Sequence, residues 1–165
     1  FFFKNKNVIV VGGGDSAMEE ALVLTKFATS VTLVHRRSEF KASKIMLERA
    51  QKNSKIKFIL NSEVIEILGH DKVTGVKIRN NKTDKIAEIP VDGIFVAIGH
   101  MPNSAVFGGI ETDEQGFIKV KDHTKTNIEG VFVAGDVHDS HYKQAVTAAG
   151  FGCMAALEVE RWLSN

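Results

Sequence analysis

Val8-Ile9-Val10-Val11-Gly12-Gly13-Gly14-Asp15-Ser16-Ala17-Met18 is the stretch from which the fold class follows. Four consecutive β-branched residues halt at three glycines, as a strand buried on both faces does when it runs into a tight turn. Beyond the turn, Met18, Ala21, Leu22 and Thr25 recur at helical spacing. Asp15 or Ser16 is placed to cap the first turn, so residues 15–27 are predicted as a helix. A second β-branched run, Val31-Thr32-Leu33-Val34, follows at once. Strand, helix and strand in that order imply a parallel sheet.

Further out, Ser43 to Gln51 reads as another helix and Ile56 to Leu60 as a third parallel strand. The rhythm then changes. Three strand-like runs at 63–68, 73–79 and 86–89 follow without helices between them, separated by Gly69-His70-Asp71-Lys72 and by the polar stretch Asn80–Lys85. They are predicted to form an antiparallel meander. Gly93–Ala97 restores a buried parallel strand, and Gly99-His100-Met101-Pro102-Asn103 breaks it. A domain boundary is expected there, giving domains 1–98 and 99–165. In the second, Phe117–Val120 and Val131–Ala134 read as strands and Gln144–Leu163 as a long helix. The expected fold is α/β: a Rossmann-like parallel sheet with helices, a three-stranded meander covering it, and a partial second domain.

The glycine run has a chemistry of its own. In the pattern Gly12-x-Gly14-x-x-Ala17, Gly12 permits the turn, Gly14 lets the backbone approach a pyrophosphate, and Ala17 lets helix and strand pack closely. The helix amino terminus offers free N–H groups and a partial positive charge to phosphate. An ordinary strand-to-helix turn that binds nothing is the competing reading. About 20 positions further on, where an NAD site would present a carboxylate to the adenosine ribose, the second strand ends in His35-Arg36-Arg37. Two guanidiniums suit a ribose 2′-phosphate, so NADPH is expected over NADH. Lys41 and Lys44 could add charge from the following loop. The alternative is a solvated basic face.

Composition bounds the other possibilities. At 165 residues and 44% hydrophobic content the chain can bury one ordinary core but is short for two complete domains. Its net charge of +1 predicts no general attraction to nucleic acid or an anionic membrane. Between Arg36 and Lys57, however, eight Lys/Arg stand against Glu39 and Glu48, a local surplus that favours an anionic ligand. The only aromatic there is Phe40, so no stacking platform for nucleic acid is expected. One cysteine, Cys153, rules out an internal disulfide or a Cys-x-x-Cys pair within these residues. A reducing, cytoplasmic compartment is the expectation. No apolar run approaches the roughly 18 residues of a membrane span, and a soluble protein is expected. Cys153, flanked by Gly150, Gly152, Ala155 and Ala156, reads as a small packing residue on the last helix. His138-Asp139-Ser140-His141, with Asp136 nearby, occupies a single loop, and no metal is expected to bind.

Gly12-Gly13-Gly14-Asp15-Ser16-Ala17-Met18-Glu19-Glu20-Ala21 and His35-Arg36-Arg37-Ser38-Glu39-Phe40-Lys41-Ala42 resemble the NADPH domain of low-molecular-weight thioredoxin reductases. Gly130-Val131-Phe132-Val133-Ala134-Gly135-Asp136 resembles that family's second flavin motif, and Val96-Ala97-Ile98-Gly99-His100-Met101-Pro102-Asn103 its crossover between domains. Tyr142-Lys143-Gln144-Ala145 resembles the segment opening the final helix. The family usually carries Arg where Lys41 and Lys143 stand, so the forked donor is lost at both.

The resemblance implies that Gly135 and Asp136 hold the ribitol of FAD and that Lys143, Gln144 and Ala145 face the flavin. In the parent enzyme, hydride passes from NADPH to FAD and then reduces a protein disulfide and thioredoxin, within a homodimer. The family's first FAD fingerprint and its redox Cys-x-x-Cys lie upstream of the run that is here Phe1-Phe2-Phe3. The chain is therefore expected to be a fragment with half a flavin site, without a catalytic residue, and inactive alone. A thioredoxin-reductase-like ferredoxin–NADP reductase and a non-catalytic nucleotide-binding module are the rivals. Peroxiredoxin-reducing flavoenzymes, which typically use NADH, are disfavoured by Arg36-Arg37.

Overall fold

The computed structural model describes residues 1–164, which divide into two compact units, the first spanning Phe1–Gly99 and the second beginning at His100. In the first, strands β1 (Asn7–Gly12), β2 (Ser30–Val34), β3 (Ile56–Ile59) and a later strand over Gly93–Ala97 form a parallel sheet; the helices α1 (Asp15–Leu24) and α2 (Lys44–Gln51) connect β1 to β2 to β3. Strands β4 (Ser62–Leu68), β5 (Gly75–Asn80) and β6 (Ile86–Ile89) make the antiparallel meander, and Gly93–Ala97 becomes β7. Spatial order in the parallel sheet is β3-β2-β1-β7.

The β-branched run of β1 is buried on both faces because each face has its own cover. Val8 and Val10 join Val31 and Leu33 of β2 beneath Ala17, Met18 and Ala21 of α1. Ile9 and Val34 face the other way and pack with Val76, Ile78 and Val91, so the meander closes the second face. Successive strand residues thus serve two cores, as the two-residue period requires.

The expected helix over residues 15–27 ends three residues early. The amides of Lys26 and Phe27 bond to the carbonyls of Val23 and Leu24, tightening the last turn, while the Thr25 hydroxyl donates to Leu22 O at 2.7 Å. The expected side-chain cap is also absent: Gly14 is the N-cap residue and no side chain caps the helix. Asp15 Oδ1 instead accepts the Ser43 amide at 2.7 Å, tying the start of α1 to that of α2.

The second unit departs further from expectation. Phe117–Val120 and Val131–Ala134 form no strands; pairing is confined to the single bridges Thr112↔Ile118, Lys121↔Lys125 and Lys125↔Phe132. Their amides disperse to different partners, Ile118 N to Val137 O, Lys119 N to Glu111 O and Val133 N to Thr124 O, so no ladder accumulates. The final helix α3 (Ala145–Leu163) forms as expected but buries none of its residues. Cys153 is consequently exposed, which corrects its reading as a packing residue. No described helix is long and apolar enough to cross a membrane.

Candidate functional site

At the carboxyl ends of β1, β2 and β7 lies a cleft of about 510 Å³. From β1 the chain passes to β2 on one side, whereas β7 flanks β1 on the other. The crevice between β1 and β7 is therefore a topological switch point, where open parallel sheets bind ligands. Its walls bring together Gly12, Gly13, Gly14 and Ser16 from the glycine turn, His35, Arg36, Arg37 and Lys41 from the basic loop, and Ile98 and Gly99 after β7.

Each glycine does something different. A Cβ on Gly12 would strike Ala97 O and the Ala17 side chain, so this position is closed by β7 and α1. One on Gly13 would overlap the His35 ring. At Gly14 a Cβ would meet nothing within 4 Å, which leaves open approach to the first amides of α1. Ala17 is fully buried and Asp15 is committed to Ser43, so neither of these expected residues lines the cleft.

His35 is 8% exposed, hydrogen-bonded through Nε2 to Glu39 O at 2.9 Å and stacked on Phe40 at 5.2 Å. Phe40 in turn meets Phe58 edge-on at 5.5 Å. Gly13 O accepts the amides of Lys41 (2.7 Å) and Ala42 (3.1 Å). The basic loop is thus folded back onto the glycine turn by its own backbone. On its far side the loop is held by the meander: Ser62 N donates to His35 O, Asn61 N to Arg37 O, and Asn81 Nδ2 to Arg36 O at 3.2 Å. Arg36 and Arg37 themselves are exposed, with guanidiniums in water and backbones fixed.

Ser62, Glu63 and Val64 also line the cleft. Their sequence reads only as the start of a meander strand; what delivers them is the Ser62-to-His35 backbone bond, which no local pattern announces.

The remaining expected residues lie in the second unit. Gly135 adopts φ +80°, a left-handed conformation suited to glycine, and Asp136 beside it is exposed. Gln144 is the N-cap of α3 in a reciprocal capping box with Thr147, and its Nε2 donates to Tyr142 O at 2.9 Å, so this side chain serves its own helix. Lys143 Nζ sits 4.9 Å from the centre of the Phe117 ring, and Ala145 is the first helical residue.

Asp139, which in the sequence stands out only as one of a loop's His and Asp residues, organises this loop. Its carboxylate accepts the amides of Tyr142, Lys143 and His141 at 2.8–3.0 Å and approaches the Thr147 hydroxyl at 3.4 Å. The Tyr142 amide foremost, then those of Lys143 and His141, hold it down to about 2 against the opposing effect of burial. Next to it, burial lowers the pKa of His138, whose Nε2 is buried without a partner and whose ring meets Phe151 edge-on at 4.4 Å. Among the described residues, no three His, Cys, Asp or Glu side chains cluster as metal ligands.

Residues 3–152 match the family model described as pyridine nucleotide-disulphide oxidoreductase. Over its whole length the chain is 55% identical to a thioredoxin reductase of Mycolicibacterium smegmatis, covering 54% of that protein. It is also 55% identical to one of Rickettsia felis, covering 55% of it. The crystal structure of thioredoxin reductase from Streptococcus pyogenes MGAS5005 superposes over 99% of the chain and 54% of its own, with a TM-score of 0.84 at 43% identity. The chain thus spans about half the length of the relatives it matches. With a parallel sheet, a glycine turn at its switch point and a family match over most of its residues, the chain belongs to the pyridine nucleotide-disulphide oxidoreductases.

Proposed function

We propose that the first unit, residues 1–98 with Gly99, is an NADPH-binding domain, and that residues 99–165 are the carboxy-terminal portion of an FAD-binding domain. One observation carries the reading: the cleft joins the open amino end of α1, which suits a pyrophosphate, to Arg36 and Arg37, which suit a ribose 2′-phosphate. Gly12 and Gly13 fix the turn, Gly14 leaves room above it, and His35 supports it from below. Lys41 adds charge, and Ile98 and Gly99 bound the end from which a nicotinamide would leave the cleft.

In a parent of thioredoxin-reductase type, NADPH supplies hydride to the flavin. The residues of this chain would bind and orient. Gly135 leaves the backbone open to a flavin's ribitol, Asp136 is exposed to accept its hydroxyls, and the α3 amino end, opened by Lys143, Gln144 and Ala145, offers amides to negative charge. These make a half-site. The disulfide chemistry would belong to the longer parent, because residues 1–165 hold one cysteine, and a thioredoxin partner and a homodimer would come with that parent.

Calorimetric titration tests the reading. Charge-assisted hydrogen bonds contribute about 1.5–3 kcal/mol each when well formed, and exposure and salt reduce that figure. NADPH is expected to bind at least tenfold more tightly than NADH. The Arg36→Ala, Arg37→Ala double variant should lose most of that preference. Equal affinities in the wild type would remove the 2′-phosphate reading.

A further inference from the structure

Among the described residues lining the cleft, Glu63 is the single carboxylate, and it shares that lining with Arg36, Arg37 and Lys41. An unpaired carboxylate there would repel a phosphate and offer the arginines a competing partner. Glu63 is not unpaired. On the neighbouring strand β5, Arg79 stands directly across from it in the β4–β5 register, and Arg79 Nη2 donates to Glu63 Oε1 at 2.5 Å. Arg79 is absent from the cleft lining. Glu63 in turn raises the Arg79 pKa above its ordinary value, through the hydrogen bond first and charge second.

We propose that Arg79 is a specificity-determining residue for the 2′-phosphate, acting through Glu63: it neutralises the one carboxylate of the cleft wall and holds it toward the meander. This rests on the NADPH reading and adds to it a residue outside the cleft. The placement explains what an exposed cross-strand pair is for. Such pairs contribute little to stability, and here both side chains remain substantially solvated, at 46% and 39% exposure. Its value lies in the potential the cleft presents.

The experiment uses the 165-residue chain and two probes that need neither nicotinamide nor flavin: adenosine 2′,5′-bisphosphate and adenosine 5′-monophosphate. Their affinity ratio reads the 2′-phosphate alone. Arg79→Gln should lower the ratio about fivefold at low salt, the scale of one screened charge–charge contact. Arg79→Lys, which keeps the charge, should hold the ratio near wild type. Arg79→Gln combined with Glu63→Gln should restore it. A loss of fold would weaken both probes together and leave the ratio alone; thermal melts check this separately. If the wild type discriminates and Arg79→Gln discriminates equally, the inference falls while the NADPH reading stands. If the double variant stays low, Arg79 contacts the phosphate itself and the inference is overturned. If the wild type does not discriminate, the NADPH reading falls and takes this inference with it.

Discussion

Gly13 carries more constraint than its place in a glycine run suggests. Its carbonyl receives two amides of the basic loop, and the space a side chain would need holds the His35 ring. Gly13→Ala must displace that ring from Phe40 and from Glu39 O, so overpacking is expected to cost about 1–3 kcal/mol of stability. Chemical denaturation would measure this, and an unchanged midpoint would show that the ring moves freely. The residues themselves were legible in advance: the glycines by spacing and Arg36-Arg37 by their place at a strand end. The role of His35 was not. It lines the cleft as a buried support whose Nε2 is already bonded, and only its tertiary neighbours disclose that. Asp15 misled similarly, because a helix-start aspartate reads as a cap whether its carboxylate turns to its own helix or to the next.

Elements with strong periodicity and local partners were predictable, and elements that depend on distant partners were not. All seven strands of the first unit match the expected strand-like runs bounded by turn residues, to within a residue or two. Phe117–Val120 and Val131–Ala134 have the same composition yet gather only isolated bridges, because a strand exists only where a neighbour pairs with it. At the start of α3 the decisive residue is Asp139. A carboxylate held at about 2, against about 3.9 in an unfolded chain, stabilises the fold fully above about pH 5 and loses that contribution as pH falls through 4 toward 2 and below. His138, depressed by burial, works in the same direction from below its ordinary value, since acid must charge a buried ring. Asp139→Asn is therefore expected to lower stability at pH 7 and to flatten its fall between pH 4 and 2. Thermal melts across that range would show it, and parallel wild-type and variant profiles would contradict it.

For the molecule as a whole, the proposed function divides labour between a nucleotide module and a flavin half-site. A sample verified by mass to contain only these residues should show no NADPH-driven disulfide reduction, with or without added FAD, because one thiol cannot form the redox pair. It should also fail to retain FAD through gel filtration, much of the contact surface being outside these residues. Turnover in such a sample would overturn the division. A backbone amide NMR titration of the chain with NADPH locates the nucleotide directly. Binding at the cleft should concentrate shifts at Gly13, Gly14, Asp15 and Ser16 and along Arg36–Lys41, with α3 unmoved. Shifts confined to the second unit, or none at the glycine turn at saturation, would contradict it.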